Sequence, residues 1–79
     1  MTLGDMAYRK PAQVCGFCSR DPELQTRLRE IGFAEGDRVE TVHRGLFGGN
    51  PISVKLNGTY IALRKREARA IFVELLASA

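Results

Sequence analysis

The chain has 79 residues and a formal net charge of +3, which limits it to one small domain with a single compact core. A composition of 44% hydrophobic and 27% charged residues excludes a disordered chain and a disulfide-dense scaffold. A deep catalytic cleft is not expected at this length, and the charge falls short of the dense basic face of a dedicated nucleic-acid binder.

The N-terminal residues predict the compartment. They include Asp5, Arg9 and Lys10 instead of an apolar signal segment, and no apolar run in the chain approaches the roughly 18 residues that cross a bilayer. We therefore expect a cytoplasmic protein that is not embedded in the membrane. In that compartment its cysteines are expected to be reduced thiols.

Residues 1–11 are predicted to be a leading segment, because Pro11 biases the residue before it toward extended geometry. A short strand is predicted over residues 12–18, where Gly16 allows a bulge or a close backbone approach. The sequence thus begins with a lead-in and a first strand with one buried face.

A helix is predicted from Pro22 to about Ile31. Asp21 is a favourable N-cap, proline is well tolerated in the first turn, and Gly32 supplies a left-handed residue to end the helix. One apolar stripe follows the helical repeat, formed by Leu24, Leu28 and Ile31. The helix is therefore expected to be amphipathic and packed against the rest of the domain.

A second strand is predicted over residues 38–44, and its apolar residues change parity, which indicates a bend or a bulge. The segment from Gly45 to Pro51 that follows is rich in glycine and contains Leu46 and Phe47. Large apolar side chains in such a loop are typical either of a docking surface or of a lid on the end of a barrel.

The clearest local signal is a hairpin over residues 52–64. Asn57-Gly58 is the dipeptide best suited to a type I′ turn, and a two-residue turn fixes the strand register. That register places Leu56 opposite Thr59, Val54 opposite Ile61 and Ile52 opposite Leu63, so the apolar residues share one face.

The C-terminal part is predicted to form one or two helical turns over residues 65–70 and then a closing strand over residues 71–75. One continuous helix from Lys65 to Leu76 is the alternative that periodicity alone leaves open. No internal repeat or linker is present.

The sequence from Val14 to Val73 resembles the FeoA family. The likeness rests on three segments, which are Arg27-Leu28-Arg29-Glu30-Ile31-Gly32-Phe33 with Glu35-Gly36-Asp37, then Gly48 with Asn50-Pro51-Ile52, and then Ile61-Ala62-Leu63-Arg64 with Glu67-Ala68 and Ile71. The resemblance implies a mainly β fold, a small SH3-like β-barrel with an inserted amphipathic helix and a short C-terminal helical turn, and a single FeoA-like domain over residues 1–79.

The resemblance also implies a function. The chain would be a cytosolic adaptor of bacterial ferrous iron uptake that docks on the GTP-binding region of the membrane ferrous iron permease, and it would not be an enzyme. The residues themselves contain no nucleophile elbow, phosphate-binding loop or His-Glu-x-x-His motif. The oligomeric state is left open, and a homo-oligomer is one possibility.

Cys15 and Cys18 have the spacing of redox dithiols and of half zinc sites. In an extended strand the two sulfurs would point to opposite faces, and His43 is the one further ligand besides carboxylates. Structural or incidental cysteines are the leading interpretation, ahead of a site for a divalent transition metal, mostly one shared between two chains, and of redox work. A metal-binding or metal-sensing module that uses Cys15, Cys18 and His43, alone or as a dimer, is accordingly the alternative function.

Two features are predicted to contact a partner. The first is the loop with Leu46 and Phe47. The second is a basic cluster near the C-terminus, consisting of Arg64, Lys65, Arg66 and Arg69. Such a cluster is either a solvated face or a surface for an acidic partner or a phosphate group. Because no aromatic residue lies within the cluster, a nucleic acid is not the expected partner.

Overall fold

The computed structural model describes residues 1–6, 9–45 and 49–76. The elements in chain order are β1 (Ala12–Phe17), α1 (Pro22–Ile31), β2 (Arg38–Gly45), β3 (Gly49–Leu56), β4 (Thr59–Leu63), α2 (Lys65–Ala68) and β5 (Ile71–Leu75), preceded by a 3₁₀ turn at Leu3–Asp5. The strands form one antiparallel sheet in the order β4-β3-β2-β1-β5. The predicted mainly β architecture, with a helix between the first two strands and a helical turn before the last, is confirmed.

The hairpin between β3 and β4 has the predicted turn and register. Asn57 and Gly58 both have positive φ, at 48° and 90°, as a type I′ turn requires. Leu56 pairs with Thr59, Val54 with Ile61 and Ile52 with Leu63. The Asn57 side chain also accepts a hydrogen bond from the Arg38 N–H at 3.1 Å, so the turn is bonded to the first residue of β2 as well.

The predicted irregularity in β2 is a shift in its pairing with β3 between Thr41 and His43. Val39 and Thr41 are fully buried, whereas Val42 is half-buried, because the shift changes which residues face the core. The Thr41 hydroxyl has no hydrogen-bond partner within the described part of the chain. A second register shift, between Arg44 and Gly45, brings the strand to its end beside the cis Asn50-Pro51 peptide.

Helix α1 begins and ends as predicted, but its apolar stripe is shorter. The Asp21 carboxylate accepts from the Leu24 N–H at 3.0 Å, and Gly32 has a φ of 129°. Leu24 and Leu28 are buried, whereas Ile31 is 40% exposed, so the prediction that Ile31 packs inward was wrong. Phe33, just beyond the helix, is buried instead, because the turn at Gly32 directs the chain back toward the sheet.

The leading segment is part of the fold. Leu3 and Met6 are buried in the core, and the Met1 carbonyl accepts from the Val73 N–H at 3.0 Å. Thr2 also forms an isolated β-bridge with Phe72. The segment therefore covers the outer edge of β5 and closes one side of the hydrophobic core.

The C-terminal part forms a short helix and then a strand, so the alternative of one continuous helix was wrong. Ile71 and Val73 alternate with exposed residues, which is the pattern of a half-buried strand. The chain turns between the two elements, and the Ala70 carbonyl accepts from the Cys18 N–H at 2.8 Å. Among the described residues, no helix is long and apolar enough to cross a membrane.

Candidate docking surface

The basic cluster lies on α2, a single helical turn that is fixed at both its ends. At its start, the Glu67 carboxylate accepts from the Arg64 N–H at 2.8 Å, which satisfies one of the free donors of the first turn. At its end, the Arg69 N–H donates to the Lys65 carbonyl, and Ala68 is fully buried. The backbone of the cluster is thus held in place while its side chains face outward.

The four basic residues of the cluster differ in exposure. Arg64, Arg66 and Arg69 are exposed, whereas Lys65 is half-buried. None of the four side chains forms a salt bridge with any other residue that the structure describes. Their charges are therefore available to an acidic partner surface, and that of Arg69 also acts on Asp5, whose pKa is lowered chiefly by hydrogen bonds from Thr2 and further by Arg69.

Glu67 is the carboxylate nearest to this cluster in sequence, and its position explains why the cluster remains basic. It is 6% exposed, and its second oxygen lies 3.7 Å from Nε of Arg27 on α1. Because Glu67 is turned inward toward the Arg64 N–H and toward α1, its charge is not presented on the outer surface of α2. Arg27 and Arg66 line a shallow depression together with Asp21 and Glu23, so that flank of the cluster is mixed in charge.

The second predicted element, the loop with Leu46 and Phe47, lies outside the described residues. Its described neighbours place the base of the loop beside α2. Gly45 pairs with Gly49 at the end of the β2–β3 ladder, and the Asn50 side chain accepts from the Lys65 N–H at 2.7 Å. Strand β3, which follows the loop, is therefore hydrogen-bonded to the first residue of α2.

Asn50 is a functional candidate that the sequence argument missed. Its side-chain oxygen satisfies the backbone N–H of Lys65, which otherwise has no partner within a one-turn helix. The signal in the sequence was Asn50-Pro51 itself, since asparagine before proline is typical of an ordered turn.

The three residues predicted to bind metal are not brought together within one chain. Cys15 is exposed on β1, at the shift in pairing with β5, and Cys18 is half-buried against the core. Gln13 pairs with Arg38, so β1 runs away from the exposed His43 as it approaches Cys15. At about 3.3 Å per residue, Cys15 and His43 are separated by roughly 20 Å along the ladder.

No group of three or more His, Cys, Asp or Glu side chains in the described ranges is placed to hold a metal ion. The described residues of one chain therefore do not form a closed metal site. A site shared between two chains stays a prediction, because a second chain could supply the remaining ligands.

A surface ion pair next to α1 perturbs two groups. Arg29 donates to both oxygens of Glu35, at 2.9 and 3.1 Å, and its guanidinium lies 4.6 Å from the centre of the Phe17 ring. The hydrogen bonds from Arg29 lower the pKa of the Glu35 carboxyl and raise the pKa of the Arg29 guanidinium. Since all three residues are at least partly exposed, this arrangement is a surface contact that links α1 to the turn before β2.

Comparison with known proteins identifies the family. The FeoA domain model matches residues 1–75. The chain belongs to the FeoA family. This family is associated with ferrous iron transport, so the function inferred from the resemblance is confirmed at that level.

Solved structures agree with this membership. The FeoA domain is 34% identical to iron(II) transport protein A of Clostridium thermocellum, with a TM-score of 0.84, over 96% of this chain and 46% of that one. It is also 34% identical to the zinc complex of FeoA from Stenotrophomonas maltophilia, with a TM-score of 0.80, over 94% of this chain and 89% of that one. The latter is described as a prokaryotic SH3 domain protein with a suggested role as a ferrous iron transport activating factor. The predicted SH3-like fold is thus confirmed.

The same fold also forms part of larger proteins. A manganese-dependent transcriptional repressor is 26% identical to the FeoA domain, with a TM-score of 0.86, over 96% of this chain and 36% of that one. The chain spans less than half the length of the clostridial protein as well. None of the curated proteins matches this chain.

Proposed function

We propose that this FeoA domain is a non-enzymatic adaptor of bacterial ferrous iron uptake, which docks on the cytosolic GTP-binding region of the membrane ferrous iron permease. Membership of the FeoA family is the observation that supports this proposal most directly. The proposal also places the chain in the cytoplasm, since the partner surface lies there.

The proposed docking surface consists of the α2 cations together with the loop containing Leu46 and Phe47. Exposed arginines without a salt-bridge partner in the described residues favour an acidic surface on the partner. The hydrogen bond from the Lys65 N–H to Asn50 supports the joint use of both elements, because it couples α2 to the strand that follows the loop. A cationic rim beside apolar anchors is a common composition for a protein interface.

Binding of the purified GTP-binding domain of the cognate permease tests this proposal. Combined Arg66→Glu and Arg69→Glu substitutions should weaken binding at least about tenfold, because two attractive charges become repulsive. Combined Arg20→Glu and Arg38→Glu substitutions are the matched control, since both residues are exposed and change the net charge equally. Leu46→Ser with Phe47→Ser examines the loop separately.

Two results would contradict the proposal. The first is that the wild-type chain does not bind the GTP-binding domain in its nucleotide-free, GDP-bound or GTP-analogue-bound form. The second is an equal loss of binding in the control variant, which would indicate that net charge alone matters. Isothermal titration calorimetry at two salt concentrations distinguishes the specific contribution from the general electrostatic one.

A second candidate function is transition-metal binding between two copies of the chain. The exposure of Cys15 supports it, because a thiol on the surface of a strand is accessible to a second chain. Metal stoichiometry and sedimentation measured with Zn²⁺, Mn²⁺ and Fe²⁺ before and after Cys15→Ser with Cys18→Ser decide this function. Unchanged metal binding in the double variant, or none in either protein, eliminates it.

A further inference from the structure

The two edge strands of the sheet are protected unequally. The outer edge of β5 is covered by the N-terminal residues, through the bond between the Val73 N–H and the Met1 carbonyl and the bridge between Thr2 and Phe72. The opposite edge is β4, which pairs with β3 and with no other strand among the described residues. Sheet edges that lack such cover are the usual sites where another strand adds.

Strand β4 also lacks the features with which proteins protect an edge. Its five residues include no charged side chain and no proline, and its pairing with β3 has no register shift. By contrast, β5 contains Glu74 and pairs with β1 through a register shift. The open edge of β4 is therefore a regular, uncharged template for a further strand.

The register identifies the backbone groups on this open edge. Leu56 and Thr59 flank the two-residue turn and form a hydrogen-bonded pair, so Ile61 and Leu63 also face β3. Tyr60 and Ala62 then direct their N–H and C=O groups away from the sheet. Neither residue forms a backbone hydrogen bond outside the ladder to any described residue.

The side chains around this edge are cationic. The Nζ of Lys55 lies 5.9 Å from the centre of the Tyr60 ring, and Tyr60 is 68% exposed. Exposed Arg64 directly follows the last residue of the strand. Of the carboxylates closest in sequence or pairing, Glu67 is buried, and Glu40 is half-buried on β2, opposite Lys55 and two strands inward from the edge.

We propose that the open edge of β4 binds an extended, acidic segment of a partner protein by strand addition. The added strand would bond to Tyr60 and Ala62 through one donor and one acceptor on each residue. An antiparallel orientation is the more stable one, and it places acidic residues on the N-terminal side of the added strand, next to Arg64. The small side chain of Ala62 leaves room for a neighbouring residue on the outer face.

A second copy of this chain is a poorer occupant of the same edge. A pairing of two β4 strands would bring Lys55 and Arg64 of both copies to one interface, and like charges oppose association. The strand-to-strand contact would also be limited to five residues on each side, whereas a stable interface usually comprises roughly 20–30 residues a side. The charge and the size of the edge therefore favour an acidic segment.

This inference rests on the proposed function for the role of Arg64 in docking. It differs in naming the edge of β4 as the contact and strand addition as the binding mode. A random library of twelve-residue peptides displayed on phage, selected on the full chain, is the direct probe. We expect enriched sequences to contain an Asp/Glu block followed by a run of β-branched residues. A synthetic peptide of an enriched sequence should then be measured with the purified chain.

Amide hydrogen exchange with that peptide identifies the binding edge. In the free chain the Tyr60 and Ala62 amides should exchange rapidly, whereas the Ile61 and Leu63 amides should be protected by β3. Saturating peptide should slow exchange at Tyr60 and Ala62 at least about tenfold, because new hydrogen bonds form there. This measurement uses the wild-type chain, so it is decisive even if an edge variant fails to fold.

Three variants complete the test. Ala62→Pro removes an outward N–H and should abolish peptide binding, since proline is tolerated on edge strands but cannot donate. Arg64→Gln should weaken binding about tenfold. Arg38→Gln, on β2 beside the Asn57-Gly58 turn, loses the same charge away from the β4 edge and should have little effect.

The inference is overturned if no peptide is enriched, if the enriched peptides lack acidic residues, or if they protect amides other than those of Tyr60 and Ala62. A concentration-dependent dimer that protects these two amides would also overturn it and would assign the edge to a second copy. If the permease domain binds the wild-type chain and Ala62→Pro equally, the edge inference fails and the proposed function stands. If peptides bind but the permease domain does not, the proposed function fails and the edge inference stands.

Discussion

Strand β3 leads at one end into a two-residue turn with regular pairing, whereas at the other end it begins beside a register shift and a cis peptide bond. Each end has an asparagine whose side chain accepts a backbone N–H of another element, Asn57 from Arg38 and Asn50 from Lys65. The hydrogen bond at the regular end joins the β3–β4 turn to β2, and the hydrogen bond at the irregular end joins β3 to the basic helix α2. An asparagine side chain that accepts a backbone N–H thus serves the scaffold at one end of β3 and the candidate site at the other.

Truncation of the core tests whether the irregular end is as firmly packed as the regular one. Ile52→Ala should lower the free energy of unfolding by about 2–5 kcal/mol, because Ile52 is fully buried opposite Leu63. Leu56→Ala, at the turn end and opposite Thr59, is the matched control and should cost less, since Leu56 is 5% exposed. Urea unfolding measures both, and a smaller loss for Ile52→Ala would contradict the inferred packing.

Alanine in place of glycine should destabilise the two ends for different reasons. A Cβ at Gly45 would overlap the Asn50 carbonyl and lie 2.7 Å from the Pro51 nitrogen, so Gly45→Ala should cost about 1–3 kcal/mol through crowding. Gly58→Ala meets no atom within 4 Å, but its φ of 90° disfavours any Cβ, which should cost about 1–2 kcal/mol.

Asparagine substitution at Gly45 and Gly58 distinguishes these two causes. Asparagine tolerates positive φ, so Gly58→Asn should recover part of the stability that Gly58→Ala loses. Gly45→Asn should recover none, because the overlap with Asn50 remains. Equal recovery at both positions would show that crowding at Gly45 is not the cause.

Removal of the two asparagine contacts separates stability from docking. Asn50→Ala and Asn57→Gly should each cost about 1 kcal/mol, the usual net value of one hydrogen bond, and glycine preserves the positive φ at position 57. Asn50→Ala should in addition weaken binding of the permease GTP-binding domain, because α2 loses its tie to β3. If Asn57→Gly weakens binding to the same extent, the assignment of docking to the irregular end is wrong.

The smallest effect is expected at the ion pair between Arg29 and Glu35, which lies away from both ends of β3. Hydrogen bonds from Arg29 lower the pKa of the Glu35 carboxyl below its ordinary value of 4.5. The stability that this pair contributes is therefore present above that ordinary value and is lost as the pH falls through the lowered pKa. The difference in unfolding free energy between the wild-type chain and Glu35→Gln should shrink over that range, and a constant difference would contradict the assignment.

The regular parts of this fold could be predicted from local patterns. Asp21-Pro22 and Gly32 marked the limits of α1, and Asn57-Gly58 with alternating apolar residues determined the hairpin register, because turn chemistry and burial agree there. The burial of Leu3 and Met6 could not be predicted, since a lead-in of mixed composition has no periodicity that reveals its packing. The exposure of Ile31 could not be predicted either, because the last turn of a helix can extend beyond the surface against which its first turns pack.

The residues of the candidate site could be predicted from the sequence, but their orientations and contacts could not. The basic cluster is visible in the sequence, and so is the spacing of Cys15 and Cys18. The inward orientation of Glu67, the bond between Asn50 and Lys65 and the separation of Cys15 from His43 all depend on pairings between distant segments. Local sequence patterns contain no information about such pairings, so these features required the structure.

The position of the first residues along β5 limits how the chain can be shortened or labelled. Deletion of residues 1–6 would remove two core side chains and uncover a second sheet edge, so a shortened chain is expected to aggregate instead of simply losing a tail. An affinity tag placed before Met1 would start at that covered edge and could displace the residues that cover it. Attachment of tags and fluorophores beyond Leu76 keeps β4 as the one edge open to a partner in the described part of the molecule.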